Sequence, residues 1–447
     1  MEYKELPVEL VKKSIKAGAD QAEVYLEEGK ELLIRVRKGE IEILKQTRTK
    51  GLGLRVFLKK KLGFSYTSDF TLKPLDDLVE KTIFLAKNTS EDEFNGLPEK
   101  IEPTPEKTDL KIYDSQLKNF PTEMKIELAR RAEDTAFSID PRITNSDGAE
   151  YRDNETLIYL ANSFGVNLNY QRTSISLSCS PIAEKDGEKR GNGFWDYKSL
   201  LEDLESPEKI GKISAERALR MLGSKKIETQ KVPIILDPLT ASGFLAGLSY
   251  GVNGDLAAKN STFLAEKLNQ KIGSDLLNVW DDAILPKGVG SSPFDGEGTT
   301  TQRKKVFESG ILKTFLHNSY SAKKMKTFST GNASRGYDSI PRISALNFYL
   351  ENGKIDPKDI IHSVKKGFFV TDLAGFGMNI VTGDYSQMAE GLWIEEGELT
   401  FPVSQVTIAG TIMDMLNGIE MVGNDLVFRG SICSPTIKFS EMVVSGK

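Results

Sequence analysis

Ile34 and Val36 alternate with Arg35 and Arg37, and past Gly39 the pattern resumes as Ile41 and Ile43 alternating with Glu40 and Glu42. A period of two places apolar side chains on one face of extended chain, and the intervening glycine supplies a tight turn. The segment is expected to be an antiparallel hairpin with one face in need of cover. That cover is available on both sides in sequence. Pro7, a favourable first helical residue, is followed by Val8, Val11 and Ile15 on one helical face and by Gly18 as a stop. After further strands expected at 51–59 and 61–67, Leu75, Val79, Ile83 and Ala86 return to helical spacing.

The same order then returns. Residues 89–108, with Glu91-Asp92-Glu93 and Pro98, Pro103 and Pro105, have the composition of an interdomain linker. Met124, Leu128, Ala132 and Ala136 mark a helix; strand-like runs follow near 151–161, 166–180 and 190–198, with a turn at Asn162 to Gly165. Ser206-Pro207 caps a helix whose apolar face is Ala215, Ala218, Leu219 and Leu222, ending at Gly223. No shared motif links the two modules, so a duplication would rest on element order alone. From about 226 the character changes. Val232 to Leu236 reads as a buried strand and 240–250 as an apolar helix, and after 285 glycines and short strands dominate. The expected class is α+β: two smaller helix–antiparallel-meander–helix modules, residues 1–105 and 106–225, and a large, mostly antiparallel β-rich C-terminal domain, residues 226–447.

Composition narrows the function more by exclusion than by suggestion. A net charge of −5 over 447 residues gives no whole-chain case for nucleic-acid binding. No run approaches 18 apolar residues and no basic-then-apolar leader follows Met1, so neither a membrane span nor a signal peptide is expected. Cys179 and Cys433 are the only cysteines, which suggests a reducing, cytoplasmic setting rather than a disulfide framework.

His317 and His362 are the only histidines, and neither has a His or Cys at ligand spacing. A catalytic zinc site usually takes three protein ligands, so this chain cannot build a histidine-based one alone. Nucleotide-binding glycine motifs are missing too; Gly288 to Gly298 lacks the trailing lysine of a phosphate cradle. Gly247-Leu248-Ser249-Tyr250-Gly251 fits the nucleophile-elbow pattern, but Phe244-Leu245-Ala246 reads as the middle of an apolar helix rather than a strand entering an elbow. Ser321 and Lys324 match a serine–lysine motif without its companions. Asp281-Asp282 and Asp295-Gly296-Glu297 could gather oxygens around a hard cation, yet turn chemistry explains them equally well.

Several linked motifs carry a family resemblance. Asp281 to Ser291, Phe294-Asp295-Gly296-Glu297-Gly298-Thr299, Thr301-Gln302-Arg303, Gly310 to Lys313 and Thr330-Gly331-Asn332 come first. Gly367 to Asp372, Thr382-Gly383-Asp384, Gly423-Asn424-Asp425 and the closing Val444-Ser445-Gly446-Lys447 follow in order. Together they resemble the TldD/PmbA family over essentially the whole chain. The resemblance implies a cytoplasmic peptidase system of two related chains. One branch, TldD, carries a helix with H-E-x-x-x-H and a late cysteine that hold a catalytic zinc. The other, TldE or PmbA, lacks the helix motif and pairs with the first. An older label for the family is modulator of DNA gyrase, which no feature of this sequence supports as DNA binding. Gly251, Gly254 and Asp255 match the G-x-x-G-D that follows the zinc helix, which puts Leu245 and Ala246 at the His-Glu positions and Tyr250 at the second His. Cys433 falls near the late cysteine, but Ser434-Pro435 replaces the glycine-lysine expected after it. The chain is thus similar to the TldE/PmbA branch.

What this implies is a non-catalytic subunit with no metal or other cofactor of its own, zinc being carried by a TldD-like partner. Short or unfolded peptides would be the substrates, with Asp295, Glu297, Gly298, Gly383 and Asp384 as groove candidates. A second reading is a peptide-binding or assembly protein acting as a homodimer; a third, serine hydrolysis through Ser249, lacks a suitable histidine.

Overall fold

A computed structural model describes residues 3–99, 109–375 and 377–446. The N-terminal half runs α1 (Leu6–Lys16), β1 (Gln21–Arg37), β2 (Glu40–Leu58), β3 (Lys61–Thr67) and α2 (Leu72–Asn88). It continues with α3 (Thr122–Ile139), β4 (Ile143–Asn162), β5 (Asn167–Lys185), β6 (Glu188–Gly191), β7 (Phe194–Lys198) and α4 (Pro207–Leu219). The expected hairpin turn falls at Lys38 and Gly39, both at positive φ (53° and 76°), so that Arg37 faces Glu40 across a two-residue loop. The strands expected separately at 41–43 and 51–59 are one strand, β2, paired with β1 along its whole length. Gly51 and Gly53 interrupt its apolar pattern without interrupting the ladder.

The two modules share a single seven-stranded sheet in the order β3-β2-β1-β4-β5-β6, with β7 also on β5. β1 and β4 pair antiparallel from Glu23 opposite Asn162 to Val36 opposite Ala149. Strand order is therefore mirrored about the β1–β4 seam, as a local two-fold axis would require. On one face α1 and α2 cover Ala22, Val24 and Leu26, while α3 and α4 cover Leu32, Ile34 and Val36. Even-numbered residues of one strand thus feed two separate helix-covered cores. The linker expected at 89–108 is, up to residue 99, a packed strap. Glu91 bridges Lys61, the Asp92 amide donates to the Lys60 carbonyl, and Leu97 is fully buried. Residues 100–108, with Pro103 and Pro105, lie outside the described residues.

The C-terminal part comprises β8 (Gln230–Leu236), α5 (Pro238–Gly251), α6 (Gly254–Ala258), β9 (Val279–Asp282), β10 (Arg303–Glu308), β11 (Ile311–Leu312) and α7 (Ser319–Lys324). There follow β12 (Ala333–Ser334), β13 (Arg342–Ile343), β14 (Phe348–Leu350), α8 (Pro357–His362), β15 (Lys366–Ala374), β16 (Asp384–Glu395) and β17 (Glu398–Thr411). The chain ends with α9 (Ile412–Asn417), β18 (Ile419–Val422), β19 (Ile432–Cys433) and β20 (Ile437–Ser445). One sheet has the order β17-β16-β15-β8-β20-β18, and a further β17–β20 pairing closes five of its strands into a barrel. A second sheet, β11-β10-β9-β14-β19, packs beside α5. Pairing is antiparallel except for β15 with β8 and β14 with β19. The α+β class, with helices concentrated in the N-terminal half and a mostly antiparallel C-terminal domain, is as the sequence indicates. No helix among the described residues is long and apolar enough to cross a membrane.

The C-terminal domain docks on the sheet face that the helices leave open. Phe294 packs with Tyr25, Ile158 and Leu160, and the Tyr337 ring lies over β2. A Cβ on Gly51 would sit 2.1 Å from that ring and one on Gly53 would sit 2.2 Å from the Tyr337 carbonyl oxygen. These glycines are where another backbone comes close.

Candidate functional site

Helix α5 starts cleanly. Pro238 occupies the first turn, and the Asp237 carboxylate caps the Thr240 amide at 2.9 Å while pairing with Arg217 at 3.1 Å. Its middle is nearly all apolar, so it is buried on more than one side. Phe244, Leu245 and Leu248 enter the C-terminal core alongside Ile234, Phe368 and Phe439. Ser249 is inside the helix with its hydroxyl donating to the Ala246 carbonyl at 2.7 Å, a local helical bond and not the geometry of an activated nucleophile.

Leu245 is 1% exposed and Tyr250 66% exposed. Residues five apart on a regular α-helix are turned by about 140°, which explains the contrast: Leu245 faces the core and Tyr250 faces outward. Tyr250 lines a cleft of about 530 Å³ with Ser249, Asn253, Arg342 and Ser431. Cys433 is close to the same helix, since the amide of the next residue, Ser434, donates to Ser242 on α5 at 3.0 Å. The Cys433 thiol is buried, contacts the Gly430 carbonyl at 3.4 Å, and burial pushes it up from the ordinary thiol range. The helix therefore offers leucine, alanine and tyrosine, and the strand beside it a single buried thiol. This donor set does not fit zinc, and among the described residues no three His, Cys, Asp or Glu side chains come together as a metal cluster.

The groove candidates divide between two places. Asp295 and Glu297 turn inward. Asp295 accepts the amides of Glu297, Thr299 and Ala333 at 2.9–3.0 Å, while burial and the neighbouring Glu297 carboxylate push its carboxyl up to about 7. Glu297 accepts from Arg55 at 3.2 Å and from both the amide and the hydroxyl of Ser319 at 2.8 Å. Gly298 closes the same loop at φ 80°. Glu297 joins the C-terminal domain to the sheet through Arg55, Asp295 braces its own loop, and both are buried. Gly383 and Asp384 lie at the start of β16, where Gly383 accepts from the Ile412 amide and Asp384 accepts from the Thr382 hydroxyl. Asp281 and Asp282 are on strand β9 rather than in a free turn. Lys304, Asn332 and the Leu346 amide saturate Asp281, and Asp282 caps Ile284 and pairs with Arg303. Neither pair leaves oxygens converging on a cation.

A buried charge cluster escaped the sequence. Arg55 bridges Glu23 at 3.0 Å and Glu297 at 3.2 Å, and Arg335 reaches Glu23 at 2.6 Å while stacking on Tyr25. The partners are up to 312 residues apart, so no local pattern signals them.

Three family models match the chain. They are described as the PmbA/TldA metallopeptidase domain 1 over residues 22–86, the central domain over 116–222 and the C-terminal domain over 229–446. The metalloprotease PmbA of Escherichia coli O157:H7 is 32% identical over 96% of this chain and 93% of its own length. A metalloprotease TldD homolog of Buchnera aphidicola is 27% identical over 84% of this chain and 79% of its own. A Bacteroides thetaiotaomicron protein, solved as a candidate modulator of DNA gyrase, superposes with a TM-score of 0.92 at 29% identity, covering 100% of this chain and 99% of that one.

Proposed function

Because the chain belongs to the PmbA/TldD metallopeptidase family, we propose that it is the subunit of a two-chain zinc peptidase that shapes the site without holding the metal. One observation carries the reading: where the resemblance puts zinc ligands, α5 presents a core leucine, an alanine and an outward tyrosine, beside a single buried Cys433. Greater identity to PmbA than to the TldD homolog supports the same branch. In this role a TldD-like relative brings zinc, water and the general base. This chain contributes a wall and a cleft over α5, with short or unfolded peptides as substrates because an enclosed site admits only extended chain. The scaffold is retained at full length because a wall requires the whole fold, even when no ligand remains.

The test is a three-way peptidase assay with this chain, a relative carrying the intact H-E-x-x-x-H helix, and both together, each with and without chelator. Chelator-sensitive cleavage of short peptides only in the mixture is expected. Equal activity from the relative alone sinks the pairing and leaves the second reading, a homodimeric peptide-binding protein.

A further inference from the structure

The cleft over α5 is lined by elements that meet only in the folded chain. The helix contributes Tyr250, the two-stranded ribbon of β12 and β13 contributes Ser334 and Arg342, and the residue entering β19 is Ser431. The ribbon is tied down from behind. The Ala333 amide donates to Asp295 at 3.0 Å, the Asn332 side chain donates to Asp281 at 2.7 Å, and Arg335 reaches Glu23 at 2.6 Å. Ala333 and the Arg335 guanidinium are both buried, so alternation along the strand turns Ser334 between them to the open side. Arg342 stands directly opposite Ser334 in the ladder, and both are exposed.

Charge in this cleft has one sign. Its lining includes two arginines and no aspartate or glutamate, although the whole chain carries a net charge of −5. Arg335 is already held by Glu23, which leaves Arg342. The exposed Arg131, Arg142, Arg152 and Arg303 each have a carboxylate within 4 Å. Among the described residues Arg342 has no ion pair and no side-chain hydrogen bond, and the hydroxyls of Tyr250, Ser334 and Ser431 have no partner either. An unpaired guanidinium with hydroxyls around it and no competing acid is a donor set for a carboxylate, which the planar fork takes through two parallel N–H···O bonds. Beside it, Ile343, Ala345 and Ile432 form an apolar flank that packs on the C-terminal core. A small inorganic anion makes no use of such a flank, whereas a carboxylate joined to an apolar group buries that group against it.

We propose that the cleft over α5 is a carboxylate-reading subsite for peptides, in which Arg342 takes the carboxylate and the Ile343, Ala345 and Ile432 flank takes the apolar group beside it. The carboxylate is a free C-terminus or an acidic side chain, since both present the same two oxygens. The inference rests on the reading of this chain as a wall of a peptide site and adds a preference to it.

Isothermal titration of the full chain with three N-acetylated hexapeptides tests it. They share one alanine- and valine-rich sequence: the first has a free C-terminal carboxylate, the second is amidated with a single Glu, and the third is amidated and uncharged. At least one of the two carboxylate peptides should bind about tenfold more tightly than the uncharged one, and which one does so identifies the source of the carboxylate. Arg342→Gln should remove that difference without shifting the melting temperature, because Arg342 has no partner in the fold to lose. Equal binding of all three peptides, binding of none, or a preference that survives Arg342→Gln would each overturn the proposal. So would displacement of the peptide by an equal concentration of inorganic phosphate, which would reduce the cleft to a general anion site. In each of those cases the three-way cleavage assay still decides whether the chain is a wall of a peptidase, so the two failures are distinguishable.

Discussion

His317 shows how a single side chain ties together features that look unrelated in sequence. The ring is buried, its Nδ1 lies 3.0 Å from the Ser321 hydroxyl, and burial holds its pKa down at about 4 from an ordinary 6.5. A Cβ on Gly254 would come within 2.1 Å of that nitrogen, so the glycine of the Gly251–Gly254–Asp255 motif is required by the histidine, not by a metal. The sign of the pH effect follows from the depressed pKa. The neutral ring is what the fold accepts, so its contribution is complete above pH 6.5 and is lost as pH falls through 4. At one pKa unit per 1.36 kcal/mol, the loss reaches about 3 kcal/mol near pH 4. Urea denaturation of wild type and His317→Asn at pH 7 and at pH 4 should show a gap that shrinks or reverses on acidification. A gap of constant size would mean that folding leaves the pKa of the ring unshifted.

At the scale of elements, helix α5 shows both the reach and the limit of reading a sequence. Its motif anchor singles out Leu245, Ala246 and Tyr250 by resemblance, and the apolar Phe244-Leu245-Ala246 places Ser249 in a helix, where α5 has it. The five-residue spacing implies that Leu245 and Tyr250 diverge once the helix is assigned, but only the fold shows that Leu245 is the one turned to the core. Likewise the continuity of β2 through the mostly polar stretch 44–50 has no local signal, and the reason for Gly51 and Gly53, the Tyr337 ring and carbonyl, is almost three hundred residues away. The hairpin at Gly39 was legible because turn and alternation are local. The divergence has a consequence. Restoring the ligands by Leu245→His, Ala246→Glu and Tyr250→His should not restore a zinc site, since the first imidazole would enter the core. Metal analysis after dialysis should find less than stoichiometric zinc, and the triple variant should be less stable by about 2–5 kcal/mol, as for other losses of a buried leucine. One tightly bound zinc per chain would show that α5 can unwind to bring the two positions together.

For the whole molecule, the question is what makes a mirrored sheet and a barrel domain one body. Long-range pairs across that junction were beyond any sequence pattern, because acids on β1 and in the 295–297 loop look alike whether they face water or each other. Besides outlying polar ties such as Arg217 with Asp237 and Tyr320 with Asp92, the junction has two kinds of contact at the sheet face. Apolar packing joins Phe294 and Tyr337 to the open sheet face, and the cluster of Glu23, Arg55, Glu297 and Arg335 balances two positive against two negative charges out of water. A buried ion pair contributes little net stability compared with apolar residues of the same shape, but removing one member strands its partners. Arg55 is the member with most to lose, because it alone spans Glu23 on the sheet and Glu297 on the C-terminal domain. Arg55→Met should therefore cost about 3–5 kcal/mol in denaturant unfolding. Adding Glu297→Gln should recover part of that loss, since the second change removes one of the stranded charges while the new side-chain amide can still accept the Ser319 N–H through its oxygen and donate its NH2 to the Ser319 hydroxyl. The same Glu297→Gln change made alone should be destabilising, because it then strands Arg55 instead. If the two losses simply add, Arg55 and Glu297 do not act as a pair across the junction.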